Sequence, residues 1–329
     1  MHAPRRDAPT DRTPLFIEQG GARPGDPASE LRASLAAAQP FIAPKFFYDR
    51  LGSALFAAIC ELPEYYPTRT EAAIFRAFAD PIAEAVGEHA TLIDLGAGDC
   101  TKAASLFARL RPAQYVAVDI SVEFVRHALD CLQRQFPELP MLGLGADFSA
   151  GLALPAQVRE RQRLFFYPGS SIGNFTPGEA LAFLRGLRGQ LDAQGGLLIG
   201  VDLAKPREIV EPAYSDALGV TAAFNLNVLA HANHLIGSDF RVEDWQHVAL
   251  LDERESRIEM HLQARRDLTV RWPGGSLSRR AGERIHTENS YKYAQADFER
   301  LLEAAGFRVE RCWRDERDWF AVIHARPAA

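Results

Sequence analysis

The sequence predicts an α/β fold: a parallel, Rossmann-like sheet wound with crossover helices, with a nucleotide-type ligand at the carboxyl ends of its strands. Three observations predict it. Apolar runs alternate with helical segments from 91 to 203. The first run, Thr91-Leu-Ile-Asp-Leu, opens into the glycine turn Gly96-Ala-Gly98-Asp-Cys-Thr-Lys102. The next two runs, Tyr115-Val-Ala-Val-Asp119 and Met141-Leu-Gly-Leu-Gly-Ala-Asp147, each end in an acid.

Residues 1–27 are rich in Pro, Gly, Arg and Asp and read as a disordered leader. A helix is expected over 28–38, with Leu31 and Leu35 on one face. An aromatic cluster fills 44–70, and Thr70 is placed to cap a helix over 70–86. Leu92, Ile93 and Leu95 suit a strand buried on both faces, and Gly96 and Gly98 let the backbone turn tightly against a ligand. A helix follows from about Thr101. The fourth strand, Leu164 to Pro168, runs into Gly169-Ser-Ser-Ile-Gly-Asn174, and the fifth spans Gly196 to Asp202.

After 203 the alternation stops. Residues 206–236 read as helical, and within 240–272 Ile258, Met260 and Leu262 share one face of a strand. A helix near 295–305 precedes two closely spaced runs, from Gly306 and from Trp319, which suit an antiparallel edge pair. Seven strands ending in such a pair is the class I methyltransferase plan. The expected division is a cofactor domain of 71–203 and 288–329, with 28–70 and the inserted 204–287 forming a substrate-recognition domain. Ligands favour such a domain interface.

The glycine turn also indicates which nucleotide binds. A dinucleotide site prefers a third glycine where this chain has Thr101, and Asp99 would repel a pyrophosphate at the helix start. S-adenosyl-L-methionine carries an ammonium and a sulfonium and no phosphate, so an acidic turn suits it. Asp119 follows Gly98 by about twenty residues, the reach to ribose hydroxyls. Asp147, followed by Phe148, is placed to accept from the adenine amino group. A nicotinamide dehydrogenase is disfavoured on the same grounds.

The chain has 329 residues, 47% hydrophobic and 24% charged, with a net charge of −6. This balance argues against nucleic-acid binding. No apolar run is long enough to span a membrane, and no apolar segment follows the basic N-terminus as a signal peptide would require. The four scattered cysteines fit reduced thiols, so a cytoplasmic location is expected. A monomer is expected. His231, His234 and His286 lack the company of a metal site and read as surface or supporting residues.

Several stretches resemble the histidine Nα-methyltransferases of ergothioneine biosynthesis. They are Phe47-Tyr48-Asp49, Leu62-Pro-Glu-Tyr65-Tyr66-Pro-Thr-Arg69, Gly169-Ser-Ser-Ile-Gly-Asn174, Tyr214-x-Asp216, Gly219-Val-Thr-Ala-Ala-Phe-Asn225, Arg257-Ile-Glu-Met260 and Thr287-Glu288-x-Ser290. The resemblance implies three methyl transfers from S-adenosyl-L-methionine to the α-amine of L-histidine, giving hercynine. It implies that Asn174 and Tyr214 hold the substrate carboxylate, that Asn174 and Tyr48 face the amine as the catalytic pair, and that Gly169 lies beside the substrate. It further implies that Tyr65, Glu288 and Ser290 grip the imidazole, with Met260 shaping that end. Gly96, Gly98, Lys102, Asp119, Asp147 and Phe148 are the expected cofactor residues. Asn289, Tyr291 and the Cys-Thr pair before Lys102 depart from the family pattern.

These residue types suit the chemistry. Displacement at a sulfonium methyl needs an aligned amine lone pair and exclusion of water. Neutral Asn174 and Tyr48 do not favour the charged amine as a carboxylate would. A tyrosine face can receive the final fixed cation, and Glu288 can accept an imidazole N–H. In isolation, Tyr65 and Tyr66 read equally as core residues and Asn174 equally as a turn residue, Met260 reads as core by default, and a surface strand acid is the lesser reading of Glu288. The alternative substrate is tryptophan or another aromatic amino acid. The alternative class is a binding module without turnover.

Overall fold

A computed structural model describes residues 12–18 and 26–328. The chain begins with strand β1 (Leu15–Glu18), then helices α1 (Pro27–Leu35), α2 (Arg50–Cys60), α3 (Tyr66–Ala77) and α4 (Ala79–Val86). The Rossmann-like run follows as β2 (Thr91–Leu95), α5 (Thr101–Leu110), β3 (Gln114–Asp119), α6 (Val122–Gln135), β4 (Met141–Gly145), β5 (Arg163–Tyr167), α7 (Pro177–Arg188) and β6 (Gly196–Asp202). The insertion holds α8 (Arg207–Tyr214), α9 (Val220–Ile236) and strands β7 (Trp245–Asp252), β8 (Arg257–Ala264), β9 (Leu268–Trp272), β10 (Gly275–Arg279) and β11 (Arg284–Tyr291). The chain closes with α10 (Gln295–Ala304), β12 (Phe307–Arg314) and β13 (Phe320–Pro327).

The main sheet has eight strands in the order β1-β4-β3-β2-β5-β6-β13-β12. β13 is antiparallel to β6 and to β12, and the remaining pairs are parallel. Seven of these strands are the expected ones. The eighth, β1, lies in the stretch read as leader; it pairs with β4 and seats Phe16 over Gly143. The disorder expected over 1–27 is therefore corrected at Leu15–Glu18, while residues 1–11 and 19–25 lie outside the described residues. A lone apolar triplet flanked by Pro and Gly gives no periodicity from which to read a strand.

Strand alternation sends successive side chains to opposite faces. Ile93 and Leu95 join Leu184, Leu187 and Phe298 on one face. Leu92 and Ala117 join Leu106 and Leu129 on the other. A separate apolar cluster unites Leu31, Leu35, Phe47 and Ile59 with Val228, Leu229, Met260, Leu262 and Ile285, drawn from the N-terminal helices and the insertion. A second sheet, β11-β8-β7, carries part of this cluster, and β11 runs across the expected 287/288 division.

Two helix expectations are corrected. The helix starts at Tyr66, with Pro67 in its first turn, and Thr70 is buried within it. It also ends at Ala77, because Pro81 has no N–H for a bond to the Ala77 carbonyl and its ring clashes there. The 206–236 helix is two, broken by the left-handed Gly219.

Candidate active site

The end of β2 turns through Gly96 and Gly98, at φ of +72° and +53°. The Gly96 N–H donates to the Val118 carbonyl at 2.9 Å, tying the turn to β3. The Gly98 N–H donates to Asp119 Oδ2 at 3.0 Å, and the Ser121 N–H donates to Asp119 Oδ1 at 2.8 Å. Phe148 stands over the turn, its ring 3.9 Å from where a Gly96 Cβ would lie, and a Cβ on Gly98 would meet nothing within 4 Å. This open, acid-flanked cradle fits an adenosyl group with no phosphate. Asp147 is already engaged: Lys45 Nζ lies 2.8 Å from one oxygen, and the Ser149 N–H donates to the other at 3.0 Å. Lys45 also pairs with Glu30 at 2.6 Å. An adenine amino group at Asp147 would therefore share that carboxylate with Lys45.

Lys102 Nζ donates to Glu71 Oε2 at 2.6 Å, and the Gly169 N–H donates to Glu71 Oε1 at 2.7 Å. Burial works against the Lys102 charge, but Glu71 outweighs it and raises the ammonium's pKa. Glu71 is fully buried. It fits because Gly200 faces it: a Cβ there would lie 2.2 Å from Glu71 Oε1. Gly169 and Ser170 are both left-handed, at φ of +79° and +58°, and this reversal aims the Gly169 N–H at Glu71.

An aromatic wall joins α2 to α8 and α9. Tyr48 packs on Phe56 and Phe224 at centroid distances of 5.7 and 5.9 Å, Phe56 on Tyr65 at 6.2 Å, and Tyr65 on Tyr214 at 6.5 Å. The Tyr48 carbonyl accepts from Ser121 Oγ at 3.3 Å, so the wall begins where β3 ends. Burial pushes the Tyr48 phenol well above its ordinary pKa, and the Glu288 and Asp119 charges push it further. Tyr48 therefore lies within electrostatic reach of both carboxylates.

The 3₁₀ turn Ser171–Asn174 presses on β11. A Cβ on Gly173 would sit 2.9 Å from the Tyr291 carbonyl oxygen and 3.7 Å from Ser290 Oγ. Asn174 closes this turn, one residue after Gly173. On β11 a bulge between His286 and Glu288 breaks the register, and Thr287 Oγ1 donates to the Met260 carbonyl at 2.9 Å. Bulges re-aim side chains. Glu288 pairs across the strands with Met260, which is buried in the apolar cluster. The Glu288 residue is 9% exposed, and among the described residues no group donates a hydrogen bond to its carboxylate. Burial pushes its pKa up to about 7, with Lys292 opposing.

Two and four residues beyond Glu288 come Ser290 and Lys292. Tyr214 Oη and Ser290 Oγ are 2.7 Å apart, and Lys292 Nζ donates to both at 2.7 Å. Lys292 also pairs with Asp202 at 2.8 Å, and Asp202 accepts from Tyr66 Oη at 2.7 Å and from Lys205. Sequence reasoning assigned no role to Glu71, Asp202, Lys205 or Lys292. The strand period of two from Glu288 and Ser290 to Lys292 was the available signal; nothing local marks Glu71 or Asp202. His231 meets the Phe46 carbonyl and His286 meets Asn289.

A parallel sheet ending in an antiparallel pair, with an acidic glycine turn and a polar, aromatic-walled recess beside it, defines an S-adenosylmethionine-dependent methyltransferase. The family described as histidine-specific, SAM-dependent methyltransferases matches residues 27–327. The chain is 38% identical to the histidine N-alpha-methyltransferase of Mycolicibacterium smegmatis over 299 residues, 89% of this chain and 92% of that one. It is 38% identical to the Mycobacterium tuberculosis protein of the same name, over 85% and 88% of the two chains. It is 33% identical to the ergothioneine biosynthesis protein 1 of Neurospora crassa, over 81% of this chain and 31% of that one. Among solved structures, a didemethyltoxoflavin N1-methyltransferase of Burkholderia thailandensis aligns with a TM-score of 0.44 at 14% identity, covering 89% and 94%. The chain belongs to the histidine-specific, SAM-dependent methyltransferase family, and S-adenosylmethionine is its cofactor.

Proposed function

We propose that the protein trimethylates the α-amine of L-histidine to hercynine, a step of ergothioneine biosynthesis. One observation carries the reading: Glu288 is a buried residue that follows a bulge, its carboxylate accepts no hydrogen bond among the described residues, and it lies within electrostatic reach of Tyr48, Tyr65 and Tyr214. An unpaired buried acid is costly, and an imidazole N–H supplies the missing donor. An apolar ring would leave the acid unpaired and be penalised.

The bound cofactor supplies an electrophilic sulfonium methyl. Gly96, Gly98, Lys102, Asp119, Asp147 and Phe148 would hold it. The chain's own residues align the nucleophile. Tyr65, Glu288 and Ser290 take the ring, with Met260 backing Glu288, and Asn174 and Tyr214 take the carboxylate beside Gly169. The amine then faces Asn174 and Tyr48. Both groups are neutral, and burial keeps the Tyr48 phenol protonated. The amine can therefore shed its proton to solvent before each transfer. Residues 28–70 and 204–287 would form the substrate-recognition part. The free cysteines suit a reducing cytoplasm, and a monomer suffices for every residue in this arrangement. Among the described residues no helix is long and apolar enough to cross a membrane.

The test is mass spectrometry of products from a mixture of all twenty amino acids with S-adenosylmethionine. Trimethylhistidine as the dominant product is expected. Methylated tryptophan without methylated histidine would refute the reading, and cofactor binding without any product would identify a binding module.

A further inference from the structure

Methyl transfer does not by itself account for the charged groups behind Tyr214 and Ser290. Lys292 is 4% exposed and Asp202 1%. An ammonium has three N–H donors and no acceptor, and a hydroxyl has one donor and accepts up to two bonds. Lys292 spends all three donors, on Asp202 Oδ2 at 2.8 Å and on Tyr214 Oη and Ser290 Oγ at 2.7 Å each. The two hydroxyls are 2.7 Å apart, so one O–H is consumed between them. A single O–H remains for a ligand. The Asp202 carboxylate is held in place because it also accepts from Tyr66 Oη at 2.7 Å and from the Lys205 ammonium, while its backbone N–H donates to Ser170 Oγ at 2.8 Å. Two ammonium groups, Lys292 and Lys205, converge on Asp202 behind Tyr214, and Glu288 also lies within electrostatic reach of Lys292.

We propose that Lys292 is a positioning residue that fixes the hydrogen-bond polarity of the substrate pocket. By donating to both oxygens it leaves each O–H only the other hydroxyl or a ligand to point at, and the substrate carboxylate then selects the arrangement in which Tyr214 O–H faces the anion and Ser290 O–H faces Tyr214 Oη. The opposite orientation would turn a Tyr214 lone pair toward an anion. Ser290 keeps one lone pair, so it meets the substrate as an acceptor; with Glu288 on one ring N–H, Ser290 takes the second N–H of a protonated imidazolium. The inference rests on the assignment of this pocket to histidine. It identifies the free carboxylate, and not only the imidazole, as a specificity determinant: an α-amide gains less, because a bond to an ionised acceptor is about twice as strong as one to a neutral acceptor.

The test uses the full chain with S-adenosylhomocysteine bound, and calorimetric titration of L-histidine and L-histidinamide. Lys292→Met is expected to leave the S-adenosylhomocysteine Kd within about twofold and to weaken histidine roughly ten- to a hundredfold, with a several-fold smaller loss for histidinamide. Tyr214→Phe is expected to weaken histidine in the native background but to add less than about threefold to Lys292→Met, since both remove one oriented bond. A purely structural role would weaken both ligands equally, or make the two substitutions additive, and either result overturns the proposal. If Lys292→Met does not fold, Lys292→Arg replaces it; it keeps the charge on Asp202 but its planar fork cannot reach three convergent acceptors. Native histidine affinity in a folded Lys292→Arg protein also overturns the proposal. If the native protein takes tryptophan and not histidine, the substrate assignment fails, and comparing tryptophan with its amide still decides the role of Lys292.

Discussion

Replacing Glu288 by Gln should stabilise the ligand-free protein as pH rises while it weakens histidine binding. The residue is buried, its carboxyl accepts no hydrogen bond among the described residues, and burial raises its pKa from 4.5 to about 7. A raised carboxyl pKa means that the folded state holds its proton longer than the unfolded state does. The native protein then loses stability between about pH 4.5, where the unfolded chain releases the proton, and about pH 7, where the folded protein does. At about 1.4 kcal/mol per pKa unit, the loss between pH 5 and pH 8 is roughly 2–3 kcal/mol. Glutamine has no charge to bury. Its unpaired amide costs the same at every pH, so the difference between the two pH values isolates the ionisation. Urea unfolding of both proteins without ligand, at pH 5 and pH 8, reads this directly: the glutamine variant should gain roughly 2–3 kcal/mol on the native protein between the two conditions. A stability difference that does not change with pH would refute the burial argument. So would a variant that loses ground at pH 8.

Two further predictions follow from the supporting residues. Glu71→Gln removes the charge that holds Lys102 and leaves one acceptor oxygen where Lys102 and the Gly169 N–H now use two, and should weaken cofactor affinity about tenfold or more by equilibrium titration; an unchanged affinity would mean that Lys102 does not depend on Glu71. Gly173→Ala places a Cβ 2.9 Å from the Tyr291 carbonyl oxygen, so the 3₁₀ turn must lift from β11 and carry Asn174 with it. Its kcat should fall about a hundredfold with a near-native cofactor Kd, since small misplacements at the reacting centre are costly; a native kcat would remove Asn174 from the chemistry.

The fold was legible where the signals were local. Leu92, Ile93 and Leu95 form a short apolar strand before glycines that must take positive φ, and the terminal antiparallel pair is set by short spacing. β1 was not legible, because its pairing with Leu142 to Gly145 depends on a partner more than a hundred residues away. The broken helix was legible in principle at Pro81. For the site, Tyr48, Asn174, Tyr214, Glu288 and Ser290 were recognisable from family motifs. Their mutual arrangement was not, because it depends on a bulge at Thr287 and on the approach that Gly173 allows. Glu71 and Asp202 act through residues distant in sequence, on Lys102, Gly169 and Lys292, so no local pattern marks them. Gly200, inside an apolar strand, shows its purpose only when Glu71 is seen against it.

The most direct measurement is carbon NMR of the product formed from L-histidine and methyl-labelled S-adenosylmethionine. The account predicts one trimethylammonium resonance, three labelled carbons on Nα and none on the ring. Label on an imidazole nitrogen would place the ring where the amine is argued to lie, and would contradict the orientation set by Glu288, Ser290 and Tyr214.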